Sequence, residues 1–405
     1  MDVLLPAHIH YGKVPVKITF PDSWDVVISR FKGADTPALS DDEIIKQLAS
    51  PIGADPISTG ARNKKSAVIV VEDNTRPTNF ELIALYVLEQ LRYAGVPKEN
   101  ICFVGAVGMH RAMILPDFIR KLGPKIPHEY ACFSHNPFNG CIKIGATSIG
   151  NSVEINANVL DAEYRITLGT YLPHGFAGFG GSYKLILPGV ASYESIKYNH
   201  SHIFMNKIKG PGKLEGNAIN KDIFEAAKLV GIDFSVGVIP NEAGDICRVF
   251  CGDIKEAYDQ GCAVAVEHFQ TDLIKNVDLV LENNFMKATE PNNAFNDIAI
   301  SELREGGSLI LSSNTPEGTC PHYLYGNFGL GEKNVGFKFK SSLEKYKNAK
   351  NIIAFSQYPD VGGSWYFGGA ERITWARTWD RVLEIVGEDK KRVGIYPTAD
   401  VSIVS

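Results

Sequence analysis

No run of apolar residues in this 405-residue chain approaches the ~20 needed to span a bilayer as a helix. A membrane protein of helical type is therefore not expected. Basic excess is missing too: 41 Lys and Arg stand against 46 Asp and Glu, a formal net charge of −5. Nothing in that balance calls for a nucleic-acid partner. The first residues, Met1-Asp2-Val3-Leu4-Leu5-Pro6, lack the charged and apolar regions of a secretory signal. Cysteines number seven, an odd count, and none stands in a CxxC pair, which argues against a disulfide framework or a zinc knuckle. A reducing cytoplasm is the expected compartment. Low-complexity tracts and internal repeats are absent. With 44% hydrophobic and 21% charged residues, a disordered, collagen-like or supercharged chain is excluded.

What is present is alternation of buried strands and amphipathic helices. Ala67-Val68-Ile69-Val70-Val71-Glu72 is a continuous apolar run of the kind buried on both faces. A helix is expected over Thr78–Ala94, with Phe80, Ile83, Leu85, Val87, Leu88 and Leu91 in its stripe. Thr78 and Glu81 have capping-box spacing, and Gly95 is a natural stop. Ile101–Val107 reads as the next strand. A strand–helix–strand unit implies a parallel sheet with crossover helices. Further on, helices are expected near Ala218–Val230 and Asp253–Gln270, with a strand at Phe234–Ile239 between them. A second alternation follows: strands at Val277–Leu281, Ser308–Leu311, Asn351–Phe355 and Arg392–Ile395, helices at Ala294–Glu305 and Thr374–Val386. The expected fold is α/β: two domains with largely parallel sheets and an active-site cleft between them. The expected division is 1–270, carrying the cofactor loop and histidines, and 271–405, closing the substrate cleft.

Four constellations carry possible chemistry. Asp73-Asn74-Thr75-Arg76-Pro77 follows a buried strand, where open α/β folds bind ligands. The helix start offers N–H groups to an anion, and Arg76 could fork onto a carboxylate or phosphate. The plainer reading is a turn in which Asp73 caps and Arg76 pairs with it. Gly108-Met109-His110-Arg111 follows the next strand, and histidine is the usual acid or base near neutral pH. Between Pro173 and Lys184 the chain reads Pro173-His174-Gly175-Phe176-Ala177-Gly178-Phe179-Gly180-Gly181-Ser182-Tyr183-Lys184. Glycines at 178, 180 and 181 let backbone N–H groups approach a phosphate, and the lysine can neutralise it or act as a nucleophile. The order is neither a Walker A loop nor a dinucleotide fingerprint. A flexible surface loop is the alternative. Last, Asn199-His200-Ser201-His202 places two histidines on one face of a strand but not of a helix, and one could ligate a metal. Trp375 and Trp379 have helical spacing and read most simply as core.

Together, Asp73-x-Thr75-Arg76-Pro77, Gly108-x-His110-Arg111, Pro173-His174 with the glycine loop and Lys184, and Asn199-His200 resemble the lactate racemase family. Tyr11-Gly12, Pro51-Ile52-Gly53, Gly95 and Pro188-Gly189 extend the resemblance over most of the chain. It is stronger up to about residue 255 than beyond. The resemblance implies a nickel-pincer nucleotide, a pyridinium-3-thioamide-5-thiocarboxylic acid mononucleotide carrying nickel. Lys184 matches the lysine that carries it through the thioamide, and His200 matches the histidine on nickel. A soft sulfur set plus imidazole suits square-planar nickel. His110 and His174 match the two acid–base histidines. Asp73, Thr75 and Arg76 match cofactor and substrate contacts, and Trp375 matches a tryptophan beside the cofactor.

The implied reaction is inversion at C2 of a 2-hydroxy acid through an oxidised, planar keto acid. Small-molecule acid and, transiently, cofactor-forming proteins are the implied partners. Where the family's second domain has Tyr-Gln and then a lysine three residues on, this chain has Phe295, Asn296 and Ala299. The resemblance therefore implies a racemase or epimerase whose substrate is not lactate. Two other classes remain open: a cofactor-carrying or nickel-binding protein without turnover, and a metal-independent phosphate-binding α/β enzyme.

Overall fold

In a computed structural model the chain forms two compact units. The structure describes residues 1–201, 208, 210–290, 297–324, 346, 348–360 and 373–405. A central unit comprises Thr36–Asn241 and Asp245–Val266; a terminal unit comprises Met1–Asp35, Glu242–Gly244 and Glu267–Ser405. The sequence reading put residues 1–35 in the N-terminal domain, and pairing corrects this. Strand Asp25–Ile28 lies parallel to Arg392–Tyr396 as an edge of the terminal sheet. Its short alternating stretch finds partners only there.

The central unit is built on a six-stranded sheet. Its order is Ile246–Gly252, Phe234–Pro240, Tyr164–Thr170, Ala67–Glu72, Ile101–Ala106, Ala131–Ser134. All neighbours are parallel except the first two, which are antiparallel. Ala67–Glu72 is buried along its whole length, as a strand covered on both faces must be. From this strand the chain winds outward one way through Ile101–Ala106 and Ala131–Ser134. It then returns to wind the other way from Tyr164–Thr170. The order reverses between Ala67–Glu72 and Tyr164–Thr170, and ligands of open α/β sheets bind outside the strand ends at such a reversal.

The terminal unit holds a second six-stranded sheet, parallel throughout: Thr374–Ala376, Ala349–Phe355, Leu303–Ser313, Val277–Asn284, Arg392–Tyr396, Asp25–Ile28. Apolar clusters cover it; one gathers Ile274, Val280, Leu309 and Ile352, the other Phe20, Leu281, Ile353 and Trp379. No helix among the described residues is long and apolar enough to cross a membrane.

Several local expectations shift. The helix expected from Thr78 begins at Glu81, because Asn79 Oδ1 accepts from Glu81 N and Thr78 Oγ1 bonds instead to Thr170 Oγ1 at 2.7 Å. The stop at Gly95 holds, with φ +87° in the left-handed region. The helix expected over Thr374–Val386 divides into strand Thr374–Ala376 and helix Trp379–Val386, capped by Thr378. The two tryptophans therefore do not share a helix face. Asn199 and His200 close a helix, Tyr193–Ser201, rather than a strand. His202 lies outside the described residues.

Candidate functional site

The sheet reversal of the central unit is where the first three constellations meet. Asp73 to Arg76 leave the end of Ala67–Glu72, and Tyr171 to Lys184 leave the end of Tyr164–Thr170. Asp73 is buried, and its two oxygens have different tasks. Oδ1 accepts from Thr75 N at 3.0 Å and from Thr75 Oγ1 at 2.5 Å. Oδ2 meets His110 Nδ1 at 2.7 Å. Burial alone would raise the carboxyl pKa. The charge and hydrogen bond of His110, the charge of Arg76 and the bond from Thr75 outweigh it, so the carboxyl sits below its ordinary value. An ionised carboxylate accepts only, so Nδ1 of His110 is the donor. In the neutral ring the lone pair is then on Nε2, the form a general base requires.

His110 reaches Asp73 because its backbone turns back on Val107 (His110 N to Val107 O, 2.8 Å). Gly108, at φ +53°, makes that turn and donates its N–H to Gly189 O at 2.9 Å. The charge of Arg76 acts on Asp73, as the plainer reading has it, and the guanidinium also bonds within the turn. Its Nη1 donates to Thr75 O at 2.8 Å and Thr75 Oγ1 at 2.9 Å.

His174 is prepared in the opposite sense. It lies on the short strand Pro173–His174, paired with Gly178–Phe179. Its Nδ1 accepts from Phe176 N at 3.2 Å and Ala177 N at 3.1 Å. An accepting Nδ1 puts the proton of the neutral ring on Nε2. The two candidate histidines are thus held as complementary tautomers.

Lys184 follows in the tight turn Ser182–Leu185. Gly178 and Gly181 owe their identity to the chain's own geometry. Both have positive φ, +80° and +76°, and a Cβ would stand 2.6 Å from Lys213 O or from the Tyr171 ring. His200, at the end of its helix, is kept neutral: burial pushes the imidazole down to about 3, and the charges of Lys184 and His110 act in the same direction.

Other expected residues fall elsewhere. Trp375 belongs to the terminal unit, on strand Thr374–Ala376, and lines a small cavity with Ala288, Ser313, Thr315, Ser356 and Tyr358. Ala299 is fully buried among Ile274, Val277, Ile300 and Leu303. It is a packing position, not the open gap of a carboxylate clamp. Phe295 and Asn296 lie outside the described residues. Asn283 and Asn284 are buried and donate to backbone carbonyls: Asn283 Nδ2 to Pro6 O and Pro397 O, Asn284 Nδ2 to Lys287 O.

One group at the site escapes the motif reading: the buried pair Glu72 and Lys121, 3.2 Å apart. The signal for it was present in the sequence. Glu72 ends an otherwise apolar strand, and Lys121 shares a helical face with Phe118 and Leu122.

The chain has relatives among known proteins. Residues 11–211 match the lactate racemase N-terminal domain family. The lactate racemase of Lactiplantibacillus plantarum is 31% identical over 297 residues, 71% of this chain and 70% of that protein. That of Thermoanaerobacterium thermosaccharolyticum is 30% identical over 319 residues, 76% and 74% of the two chains. Among solved structures, the lactate racemase apoprotein from Thermoanaerobacterium thermosaccharolyticum superposes with a TM-score of 0.77 over 100% of both chains at 23% identity. A protein from Thermotoga maritima gives 0.66 at 15% identity, over 91% and 99%. Identity of 30% or more, shared over more than two thirds of each curated relative, places this chain in the lactate racemase family.

Proposed function

We propose that this protein inverts C2 of a 2-hydroxy acid with a nickel-pincer nucleotide carried by Lys184. The supporting observation is the Asp73–His110 pair, 2.7 Å apart, at the sheet reversal from which the loop to Lys184 also leaves. The donor chemistry fits the group. Lys184 supplies the amine for covalent attachment, and His200 supplies one neutral imidazole for nickel, the protonation state a ligand needs. When bound, the group supplies a reversible two-electron acceptor for the C2 hydrogen.

The chain does the rest. His110 Nε2 takes the hydroxyl proton of one enantiomer, and Asp73 stabilises the imidazolium that results. The planar keto acid can then be reduced on its other face. His174 serves that enantiomer; to exchange a proton it must first release Nδ1 from Phe176 N and Ala177 N. Arg76 provides the cation for the substrate carboxylate. Phe295 and Asn296 stand where the family has Tyr-Gln, and this departure favours a 2-hydroxy acid other than lactate, a bulkier or polyhydroxylated one.

The test is co-production with the cofactor-forming proteins, followed by intact mass and elemental analysis. The wild type should carry a covalent adduct and nickel. Lys184→Ala should lose the adduct, and His200→Ala should keep some of it while losing nickel. An adduct on Lys184→Ala, or undiminished nickel on His200→Ala, refutes those assignments.

A further inference from the structure

We propose that Lys121 is a positioning residue for the proposed reaction, holding the Asp73–Arg76 turn in register with His110. The inference rests on the functional reading above. Lys121 comes from the helix Leu115–Leu122 and is 1% exposed. Its Nζ donates to Glu72 Oε1 at 3.2 Å and to Arg76 O at 3.1 Å. Its own carbonyl accepts from Phe80 N at 2.7 Å, and Nζ stands 5.8 Å over the Phe80 ring. The segment from Arg76 to Phe80 is therefore pinned to one lysine at both ends.

Glu72 carries the link across the sheet reversal. Its Oε2 accepts from Thr170 N and its Oε1 from Thr170 Oγ1, each at 2.7 Å. Thr170 is the last residue of its strand, four before His174. One buried ion pair thus fixes the Asp73–Arg76 turn, against which His110 rests, and the start of the loop that carries His174.

A structural role alone does not account for charge here. A buried ion pair recovers little net stability over well-packed apolar residues of similar size, because both ions lose their hydration. What the ammonium gives that a methionine cannot is a directed donor to Arg76 O. Arg76 and Thr75 in turn set Asp73 Oδ1, and Asp73 sets His110. A displacement of ~1 Å at such a group costs about 10²-fold in rate.

The experiment compares Lys121→Met, Glu72→Gln and the double variant in the full chain. The measurements are Tm, amide hydrogen exchange at Thr75 and Arg76 without cofactor, and kcat and KM of the loaded enzyme on an acid that the wild type turns over. Lys121→Met should lower Tm, speed exchange at Thr75 and Arg76 by at least about tenfold, and lower kcat by about 10–100-fold. The double variant leaves no lone buried charge, so it should regain most of the lost Tm. It still lacks a donor for Arg76 O, so fast exchange and low kcat should persist. Recovery of exchange and kcat together with Tm in the double variant would overturn the proposal, as would unaltered exchange in Lys121→Met. Should Lys121→Met not fold, the double variant decides alone. A wild type without turnover defeats the functional reading, whereas the exchange result judges Lys121 independently.

Discussion

Replacing Asp73 by asparagine changes one atom, and its consequence can be worked through from the contacts. In the native site Oδ1 takes two donors from Thr75, and Oδ2 takes one from His110 Nδ1. Two donors on one oxygen decide which way the amide turns: its carbonyl faces Thr75 and its NH2 faces His110. A donor then points at Nδ1, which must become an acceptor, and the ring proton moves to Nε2. The nitrogen that should receive the substrate proton is now occupied. Loss of a general base costs ~10²–10⁴ in rate, and the same tautomer error in a Ser-His-Asp triad costs about 10⁴. The expected fall in kcat is therefore about 10²–10⁴, or about 3–5 kcal/mol of barrier. Fold stability should change far less, because the Thr75 bonds survive. Nitrogen-15 NMR of the histidine rings in the cofactor-free chain reads the tautomer directly: Nδ1-protonated in the wild type, Nε2-protonated in Asp73→Asn. Groups that act as a unit are non-additive, so adding Asp73→Asn to His110→Ala should cost little more. A His110 that keeps its Nδ1 proton in Asp73→Asn, or a kcat within threefold of wild type, would refute the reasoning.

Other expectations follow from the same contacts. His135 is buried, with Nε2 on Ala191 O at 2.8 Å and Nδ1 facing the Asn156 amide at 3.1 Å; burial pushes it down to about 4. The folded ring stays neutral while the unfolded one protonates below its ordinary value of about 6.5, so stability falls between pH 6.5 and 4 and levels off below. At pH 5 the loss is about 2 kcal/mol, and urea unfolding of His135→Gln should lack that component; parallel pH curves would exclude it. A Cβ on Gly237 would stand 1.8 Å from the Tyr171 ring, whose hydroxyl bonds Ser182 Oγ at 3.0 Å. Gly237→Ala should cost at least about 1–3 kcal/mol in denaturant unfolding, and an unchanged midpoint would mean that Tyr171 has room to move. Across a panel of chiral 2-hydroxy acids, a larger acid should show a higher kcat/KM than lactate. Lactate as the best substrate would remove the argument from Phe295 and Asn296.

Much of this was legible in the chain, and the failures have physical causes. The fully buried strand Ala67–Glu72, the stop at Gly95 and the strand–helix alternation were readable because each depends on local pattern. Thr78 was misread as a helix cap because its hydroxyl is taken by Thr170, 92 residues away. The tryptophan pair looked helical because 375 and 379 are four apart, yet a strand edge claims the first and Thr378 caps a helix at the second. Ala299 could be read as a missing charge only while its burial was unknown. The Asp73–His110 contact joins two motifs that were recognised separately; periodicity alone cannot say that their strand ends adjoin.

The edge strand Asp25–Ile28 also bears on how the molecule is made. A ribosome delivers this strand long before its partner Arg392–Tyr396; the Asp25–Arg392 ion pair closes a span of 367 residues. Meanwhile the central unit can clasp itself, since Asn241 Nδ2 donates to Thr36 O at 2.9 Å across 205 residues. That clasp removes more than half of the intervening contour, which lowers the closure entropy of the terminal sheet by about 0.7 kcal/mol. Until Arg392–Tyr396 is made, Asp25–Ile28 waits without that partner. A chain cut after residue 35 would leave Arg392–Tyr396 as a bare parallel edge open to pairing with other chains.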